Sequence, residues 1–191
     1  MDHAQPPVLA TAEILFRCKD RRLRVIQHES NRGITAALNR AIEEAKGEYL
    51  ARMDADDISE RERFARQAAH LASRPELAVI GTHAAEIDEA GRTIGRLEPV
   101  AGTEEVRRCA YERGCPFIHG SVMIRASALA AVGRYDARFR AEDYELWLRL
   151  LERFEGDNLA EPLYRLRIHP DSITGRTALR LPPAEWRIFS A

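Results

Sequence analysis

The stretch EYLARMDADDISERERFARQ (residues 48–67) joins a short apolar run to a strongly charged segment, and three aspartates stand at the junction. Asp54, Asp56 and Asp57 fall within four positions. Two like charges about 4 Å apart repel by about 1 kcal/mol in water and by several times more near a protein surface. The fold must therefore supply a cationic or hydrogen-bonding partner at this point of the chain.

Three explanations of the cluster are open from the residues alone. Ser59 and Glu62 form a plausible S-x-x-E capping box, so Asp57 or Ser59 would cap a helix that begins here. A divalent cation is the second explanation, because Mg²⁺ takes one or two carboxylates together with substrate phosphates. A phosphotransferase with Asp54 as its nucleophile is the third. An EF-hand is excluded, since Ala65 stands where its bidentate glutamate belongs.

Outward from this stretch, strand-like and helix-like segments alternate. Strands are predicted at residues 23–29 (LRVIQHE), 48–53 and 159–169, while residues 31–47 and 141–154 carry apolar side chains at helical spacing. This alternation predicts an α/β domain with a mostly parallel sheet and helices on both faces. Ligands of such sheets gather at the carboxyl ends of strands, where the aspartates stand.

The overall composition excludes several classes of protein. With 29 basic and 30 acidic residues the chain has a net charge of −1, which gives no sign of a nucleic-acid partner. Arg61, Arg63 and Arg66 alternate with acids, and this pattern predicts a solvated helix face. No apolar run reaches the roughly 18 residues of a membrane span, and no signal peptide is visible. The three cysteines form no C-x-x-C pair. We therefore expect a cytoplasmic protein, either free or peripheral at the membrane.

The ordered set of motifs resembles family 2 of the glycosyltransferases, which use nucleotide sugars and have a Rossmann-like fold called GT-A. The resemblance covers roughly residues 14 to 175. The matching segments are NRGITAALNRAIEEAKGEYLARMDADD, RFARQAAHL, IHGSVMIR, VGRYDARFRAEDYELWLRLLER and EPLYRLRIHPDSIT. Each segment is unspecific alone, and their combination is specific.

The resemblance implies roles for individual residues. It implies a donor-binding set of Asp54, Asp56, Asp57 and Asn31, and a metal-binding set of Asp54, Asp56 and His169. Mn²⁺ or Mg²⁺ would bridge the diphosphate of a UDP- or dTDP-sugar. Asp143 would be the general base that deprotonates a hydroxyl of a glycan or lipid-linked acceptor, supported by Glu142. The implied reaction is a single displacement with inversion.

Each of these roles has a plainer reading. Glu142 and Asp143 could be ordinary acids of a first helical turn, favoured by the helix dipole. His169 could be a loop histidine, and His119 could either line the acceptor site or be satisfied within the protein. Trp147 is expected in the core rather than as a sugar platform.

The resemblance also implies that a part of the family's fold is missing. The first two strands of the nucleotide-binding half have no counterpart before residues 23–29, and the nine residues MDHAQPPVL cannot supply them. We therefore expect a non-core segment with a remnant helix (1–22), a glycosyltransferase-like domain (23–175) and an irregular tail (176–191). The edge beside residues 48–53 would be open to a second chain. The chain would then be a weak enzyme, or a non-catalytic remnant or interaction subunit that pairs through this edge as a homodimer.

Overall fold

The computed structural model describes residues 8–168. His169 and the predicted tail 176–191 lie outside the described residues. The helices are α1 (Val8–Arg17), α2 (Ile34–Glu44), α3 (Arg63–Ser73), α4 (Thr103–Glu112), α5 (Ala126–Val132) and α6 (Glu142–Arg153), with a 3₁₀ turn at His119–Ser121. None of these helices combines the length and the apolar character that crossing a bilayer requires.

One mixed sheet forms the centre of the described part of the chain. Its strands are β1 (Tyr49–Ala51), β2 (Ile58–Ser59), β3 (Leu77–Ile87), β4 (Thr93–Leu97), β5 (Met123–Arg125) and β6 (Glu155–Arg167). The order is β1-β5-β3-β6-β2, and β4 pairs with β3 as a hairpin. The α/β class is confirmed.

The predicted mostly parallel pairing is wrong for the described strands. Only β3 and β6 pair in parallel, and the other pairs are antiparallel. Strands β1, β3 and β6 do run in one direction, as the alternation predicted. However, β5 enters the sheet between β1 and β3 with the opposite direction, and this insertion separates strands that would otherwise be parallel neighbours.

Residues 23–29 do not form the predicted strand. This segment has no regular structure, and Leu23, Val25 and Ile26 are each more than a third exposed. No described strand lies beside it to accept its backbone hydrogen bonds, and an isolated strand is not stable in water. The segment is instead tied to α2, because the Arg24 guanidinium donates to the carbonyl and the carboxylate of Glu44.

Two apolar clusters cover the two faces of the sheet, as predicted. The larger cluster packs α4, α5 and α6 against one face, and its α6 members Leu146, Trp147, Leu150 and Leu151 are fully buried. The smaller cluster packs Leu71 of α3 against the other face. The prediction that Trp147 belongs to the core is confirmed.

Candidate functional site

The three aspartates occupy the turn between β1 and β2, where each has a different environment. Asp54 is half-buried, Asp56 is exposed and Asp57 is buried. Asp57 accepts hydrogen bonds from the Tyr164 hydroxyl at 2.7 Å and from the backbone N–H of Arg167 at 2.7 Å. Both of its carboxylate oxygens are thus bonded to β6, so the structure gives Asp57 a role in anchoring the turn.

The helix-cap explanation of the cluster is wrong. Ser59 lies in β2, which pairs with β6, and α3 begins only at Arg63 after an N-cap residue, Glu62, without a side-chain capping bond. Asp57 turns to β6 rather than to the amides of α3. The aspartates are therefore placed by the sheet and not by a helix end.

Arg52 supplies the cationic partner that the aspartate cluster requires. Its guanidinium forms an ion pair with the Asp54 carboxylate, and the Arg52 side chain is only 11% exposed. The backbone N–H of Asp54 donates to the Tyr164 hydroxyl at 3.1 Å. Burial raises the pKa of Asp54, and the adjacent Arg52 opposes this rise.

Two polar side chains of α3 lock the aspartate turn to the 3₁₀ turn at His119–Ser121. The fully buried Arg63 guanidinium donates to the carbonyl of Arg52 at 2.8 Å and to that of Gly120 at 3.0 Å. The Gln67 amide donates to the carbonyl of Ser121 at 2.8 Å. The aspartate turn, α3 and the 3₁₀ turn are therefore held as one unit.

The predicted solvated face of α3 is wrong for Arg63, although Arg61 and Arg66 are exposed. Alternation with acids obscured a stripe of Arg63, Gln67 and Leu71, which are all buried and spaced four residues apart. That i, i+4 spacing on one helical face was the signal that could have revealed them. This long basic side chain can be buried because backbone carbonyl oxygens accept hydrogen bonds from its guanidinium.

Gly120 leaves room for β6 to pack against the aspartate turn. A Cβ atom at position 120 would lie 2.3 Å from the hydroxyl oxygen of Tyr164, which no real contact permits. The same hydroxyl bonds Asp57 and the Asp54 amide. The missing side chain of Gly120 therefore lets β6 approach the aspartate turn.

The predicted general base lies in the first turn of α6. One oxygen of Asp143 accepts a hydrogen bond from the backbone N–H of Tyr144 at 2.8 Å, and the other lies 3.8 Å from Nδ1 of His119. The Asp143 side chain is 27% exposed, so a ligand can reach it. Burial raises the pKa of the neighbouring Glu142, the Asp143 charge adds to the rise, and Arg52 opposes it.

His119 is a neutral neighbour of Asp143, and its side chain is 14% exposed. Its Nε2 lies 2.8 Å from the Tyr135 hydroxyl, and its ring packs edge-on against Trp147 at 5.9 Å between centroids. Burial lowers the pKa of His119 to about 3, and the positive charge of Arg52 adds to this effect. At neutral pH the contact between His119 and Asp143 is thus not a salt bridge.

The buried state of His119 should make the fold sensitive to acid. A histidine in an unfolded chain has a pKa of about 6.5, so the unfolded state binds one more proton between about pH 6.5 and pH 3. The contribution of His119 to the free energy of unfolding is therefore complete above about pH 6.5 and is lost as the pH falls. Urea denaturation at pH 7 and pH 4 should show a loss of about 3 kcal/mol from this residue. His119→Asn should flatten this dependence by the same amount, and equal pH slopes for the two proteins would contradict it.

The aspartate turn and the start of α6 face one common region. Burial raises the pKa of Tyr135, and nearby negative charges raise it further. Those charges belong to Asp143, Glu142 and Asp54. Arg52, which is paired with Asp54, also acts on Glu142. The structure thus brings together the two acidic groups that lie about 90 residues apart in the sequence.

The other predicted site residues are not joined to this region by any described contact. Asn31 lies in the loop before α2, where its side chain accepts a hydrogen bond from the backbone N–H of Gly33 at 3.0 Å. His169 lies outside the described residues. The roles of both remain predictions.

A metal ion fits this site only with help from its substrate. Between residues 8 and 168, no three His, Cys, Asp or Glu side chains are grouped as a metal site would need. The exposed carboxylate of Asp56 and the half-buried one of Asp54 are oxygen ligands of the kind that Mg²⁺ and Mn²⁺ prefer. Such ions commonly bind one or two carboxylates and complete their coordination with phosphates and water. The donor set fits that mode rather than a site made of protein alone.

Solved structures with a similar fold are glycosyltransferases of the GT-A type. TarS residues 1–349 of S. aureus, solved in complex with UDP-GlcNAc, match with a TM-score of 0.65 at 18% identity, over 90% of this chain and 49% of TarS. The mannosyltransferase PcManGT of Pyrobaculum calidifontis, solved with GDP-Man and Mn²⁺, matches with a TM-score of 0.54 at 16% identity, over 81% of this chain and 41% of PcManGT. These matches confirm the GT-A fold.

Sequence comparison identifies the family. The putative glycosyltransferase EpsE of Bacillus subtilis is 36% identical over 160 residues, which cover 82% of this chain and 56% of EpsE. The amylovoran biosynthesis glycosyltransferase AmsE of Erwinia amylovora is 30% identical over 166 residues, which cover 86% of this chain and 62% of AmsE. The chain thus spans about three fifths of the length of these relatives. The family model described as glycosyl transferase family 2 matches residues 7–133, and the chain therefore belongs to glycosyl transferase family 2.

Proposed function

We propose that this chain transfers a sugar from a nucleotide sugar, a UDP- or dTDP-sugar, to a hydroxyl group of a glycan or lipid-linked acceptor. The observation that carries the proposal is that the 3₁₀ turn at His119–Ser121 contacts both acidic groups. Arg63 ties this turn to the carbonyl of Arg52, and its His119 lies 3.8 Å from Asp143. One acidic group would serve the departing diphosphate and the other the attacking hydroxyl. A sugar transfer needs both groups within reach of one anomeric carbon.

Asp143 is the general base of this proposal. It is partly exposed at the first turn of a buried helix, and its orientation is set by the Tyr144 amide. A base must lie within hydrogen-bond reach of the proton that it removes, and an accessible carboxylate meets that condition. Glu142 supports it by adding negative charge to the same helix turn, while Arg52 limits the repulsion between them.

Asp54 and Asp56 serve the donor. Asp56 with Asp54 would hold Mn²⁺ or Mg²⁺, and His169 is predicted to assist. The ion, when bound, supplies positive charge where negative charge grows on the departing diphosphate. Arg52 fixes Asp54, and Arg63 fixes the carbonyl of Arg52, so the turn is held in place before the donor binds. With the base and the metal site on opposite sides of the anomeric carbon, the acceptor hydroxyl would attack opposite the departing diphosphate, and this single displacement would invert the configuration.

A transfer assay with the isolated chain tests this proposal. Nucleoside diphosphate release from a panel of UDP- and dTDP-sugars should depend on Mn²⁺ or Mg²⁺ and stop with EDTA. We expect slow turnover, because residues 23–29 form no strand to support the donor side. Asp56→Asn should remove metal-dependent donor binding in titration calorimetry. The matched control Asp20→Asn changes an exposed aspartate paired with Arg22 and should bind like the wild type. Donor binding that is the same with and without metal would overturn the metal assignment, and no release with any donor would overturn the activity.

A second candidate role is an interaction subunit that pairs through the edge of the sheet. Within residues 8–168, β1 pairs only with β5, so the backbone groups on its other side have no strand partner. Leu23, Val25 and Ile26 add exposed apolar surface. Light scattering across a concentration series should show a dimer if this role is correct. A monomer at all concentrations would contradict it.

A further inference from the structure

We propose that Tyr135 and His119 are positioning residues, which form a chain of polar contacts that orients the carboxylate of Asp143. The inference rests on the proposed function in taking Asp143 as the base. Three observations carry it: the 2.8 Å contact from the Tyr135 hydroxyl to His119 Nε2, the 3.8 Å approach of His119 Nδ1 to Asp143, and the 14% exposure of the histidine side chain between them.

Which group donates in each of these contacts follows from the groups at the two ends, Tyr135 and Asp143. A neutral imidazole carries one proton, so one ring nitrogen donates and the other accepts. If the proton were on Nε2, the lone pair of Nδ1 would face the negative carboxylate of Asp143. With the proton on Nδ1, the N–H faces that carboxylate and Nε2 accepts a hydrogen bond from the Tyr135 hydroxyl. The second arrangement is electrostatically favoured, and burial keeps His119 in the neutral form by lowering its pKa.

The Tyr135 end of this chain of polar contacts is held rigidly by Asn39 of α2. The Asn39 side-chain amide donates to the carbonyl of Tyr135 at 2.8 Å, and its oxygen accepts from the Tyr135 N–H at 3.1 Å. Both backbone groups of Tyr135 are therefore fixed by one side chain. The His119 ring is confined in turn by Trp147. Movement of α2 against α6 would change the geometry at Asp143.

The effect on Asp143 is to orient its carboxylate. One of its oxygens accepts from the Tyr144 amide, so a donor near the other oxygen leaves a single orientation of the carboxylate. At 3.8 Å the second contact is longer than a hydrogen bond, and catalytic contacts of this kind often shorten only when the substrate is bound. Other groups that act on this cluster electrostatically are Arg52, Asp54, Glu142 and Cys115.

Two substitutions at His119 separate the two contacts. Asparagine places its amide where Nδ1 stands and keeps a donor towards Asp143, whereas glutamine reaches the position of Nε2 and keeps only the contact with Tyr135. We expect His119→Gln to lower kcat by about tenfold or more, because the donor that faces the Asp143 carboxylate is lost. KM for the acceptor should change much less than kcat. His119→Asn should retain most of the wild-type kcat.

The control for this comparison is His83→Gln. It changes a histidine of β3 whose Nε2 lies 3.0 Å from the carbonyl oxygen of Pro99. It should leave kcat unchanged. Equal losses of kcat for His119→Gln and His119→Asn would mean a structural role only and would overturn the proposal.

Nitrogen NMR of histidine-labelled protein tests this chain of polar contacts without an enzyme assay. The proton of His119 should be on Nδ1 in the wild type, the tautomer should become mixed in Tyr135→Phe, and the Nδ1 resonance should shift in Asp143→Asn. A proton on Nε2 in the wild type, or no response to Asp143→Asn, would overturn the proposal. If these shifts occur but no donor is turned over, the chain exists and the proposed function has failed instead.

Discussion

Asp143→Asn should lower kcat by about 10²–10⁴-fold, which is the range that a positioned general base contributes. Asparagine keeps the shape of the side chain and can still accept the Tyr144 N–H bond, so the start of α6 should remain intact. Donor affinity should not change, because the donor is served by the aspartate turn. Single-turnover kinetics with saturating donor and acceptor measure the effect.

A matched control for this change lies on the same helix. Glu152→Gln removes one negative charge from an exposed position of α6, at the last residue but one of the helix, and should leave kcat unchanged. If Asp143→Asn retained wild-type turnover while Glu142→Gln lost it, the base would be Glu142. If both variants were fully active, the first turn of α6 would have no part in proton transfer, and its acids would be ordinary first-turn residues.

Trp147→Ala should cost about 3–5 kcal/mol of unfolding free energy, the usual loss for a large aromatic side chain in a core. Trp147 has no exposed surface and contacts the Phe117 ring edge-on at 5.4 Å between centroids. A domain is typically stable by only about 5–15 kcal/mol. This one change should therefore unfold a large fraction of the protein near physiological temperature. Urea denaturation followed by far-UV circular dichroism measures the loss.

Trp147→Phe is the comparison that identifies the cause. Phenylalanine keeps a ring against Phe117 and His119 and leaves a smaller cavity, so the loss should be clearly below that of alanine. Because Trp147 also confines His119, the alanine variant should lose turnover beyond its folded fraction. A loss below about 1 kcal/mol for alanine would contradict the core position, since it is typical of surface substitutions.

The sequence alone was sufficient to predict the features that depend on the local pattern of residues. The helical stripes of α2 and α6, the position of the aspartates after β1 and the helices on both faces follow from spacings of a few residues. The ordered motifs were sufficient to identify the family and its GT-A fold, and the comparisons confirm both. Asp143 and the aspartate turn were expected to converge, and the shared electrostatic neighbours agree with that expectation.

Only the tertiary structure decided how distant segments meet. Antiparallel β5 enters between β1 and β3, and no local pattern encodes the order of strands in a sheet. Asp57 finds its partners on β6 some 110 residues later, and Arg63 is buried because the carbonyls of Arg52 and Gly120 come to it. The contact between His119 and Asp143 has the same origin. In each case the partner is supplied by packing across the sheet, whereas periodicity and motif spacing report only on neighbours along the chain.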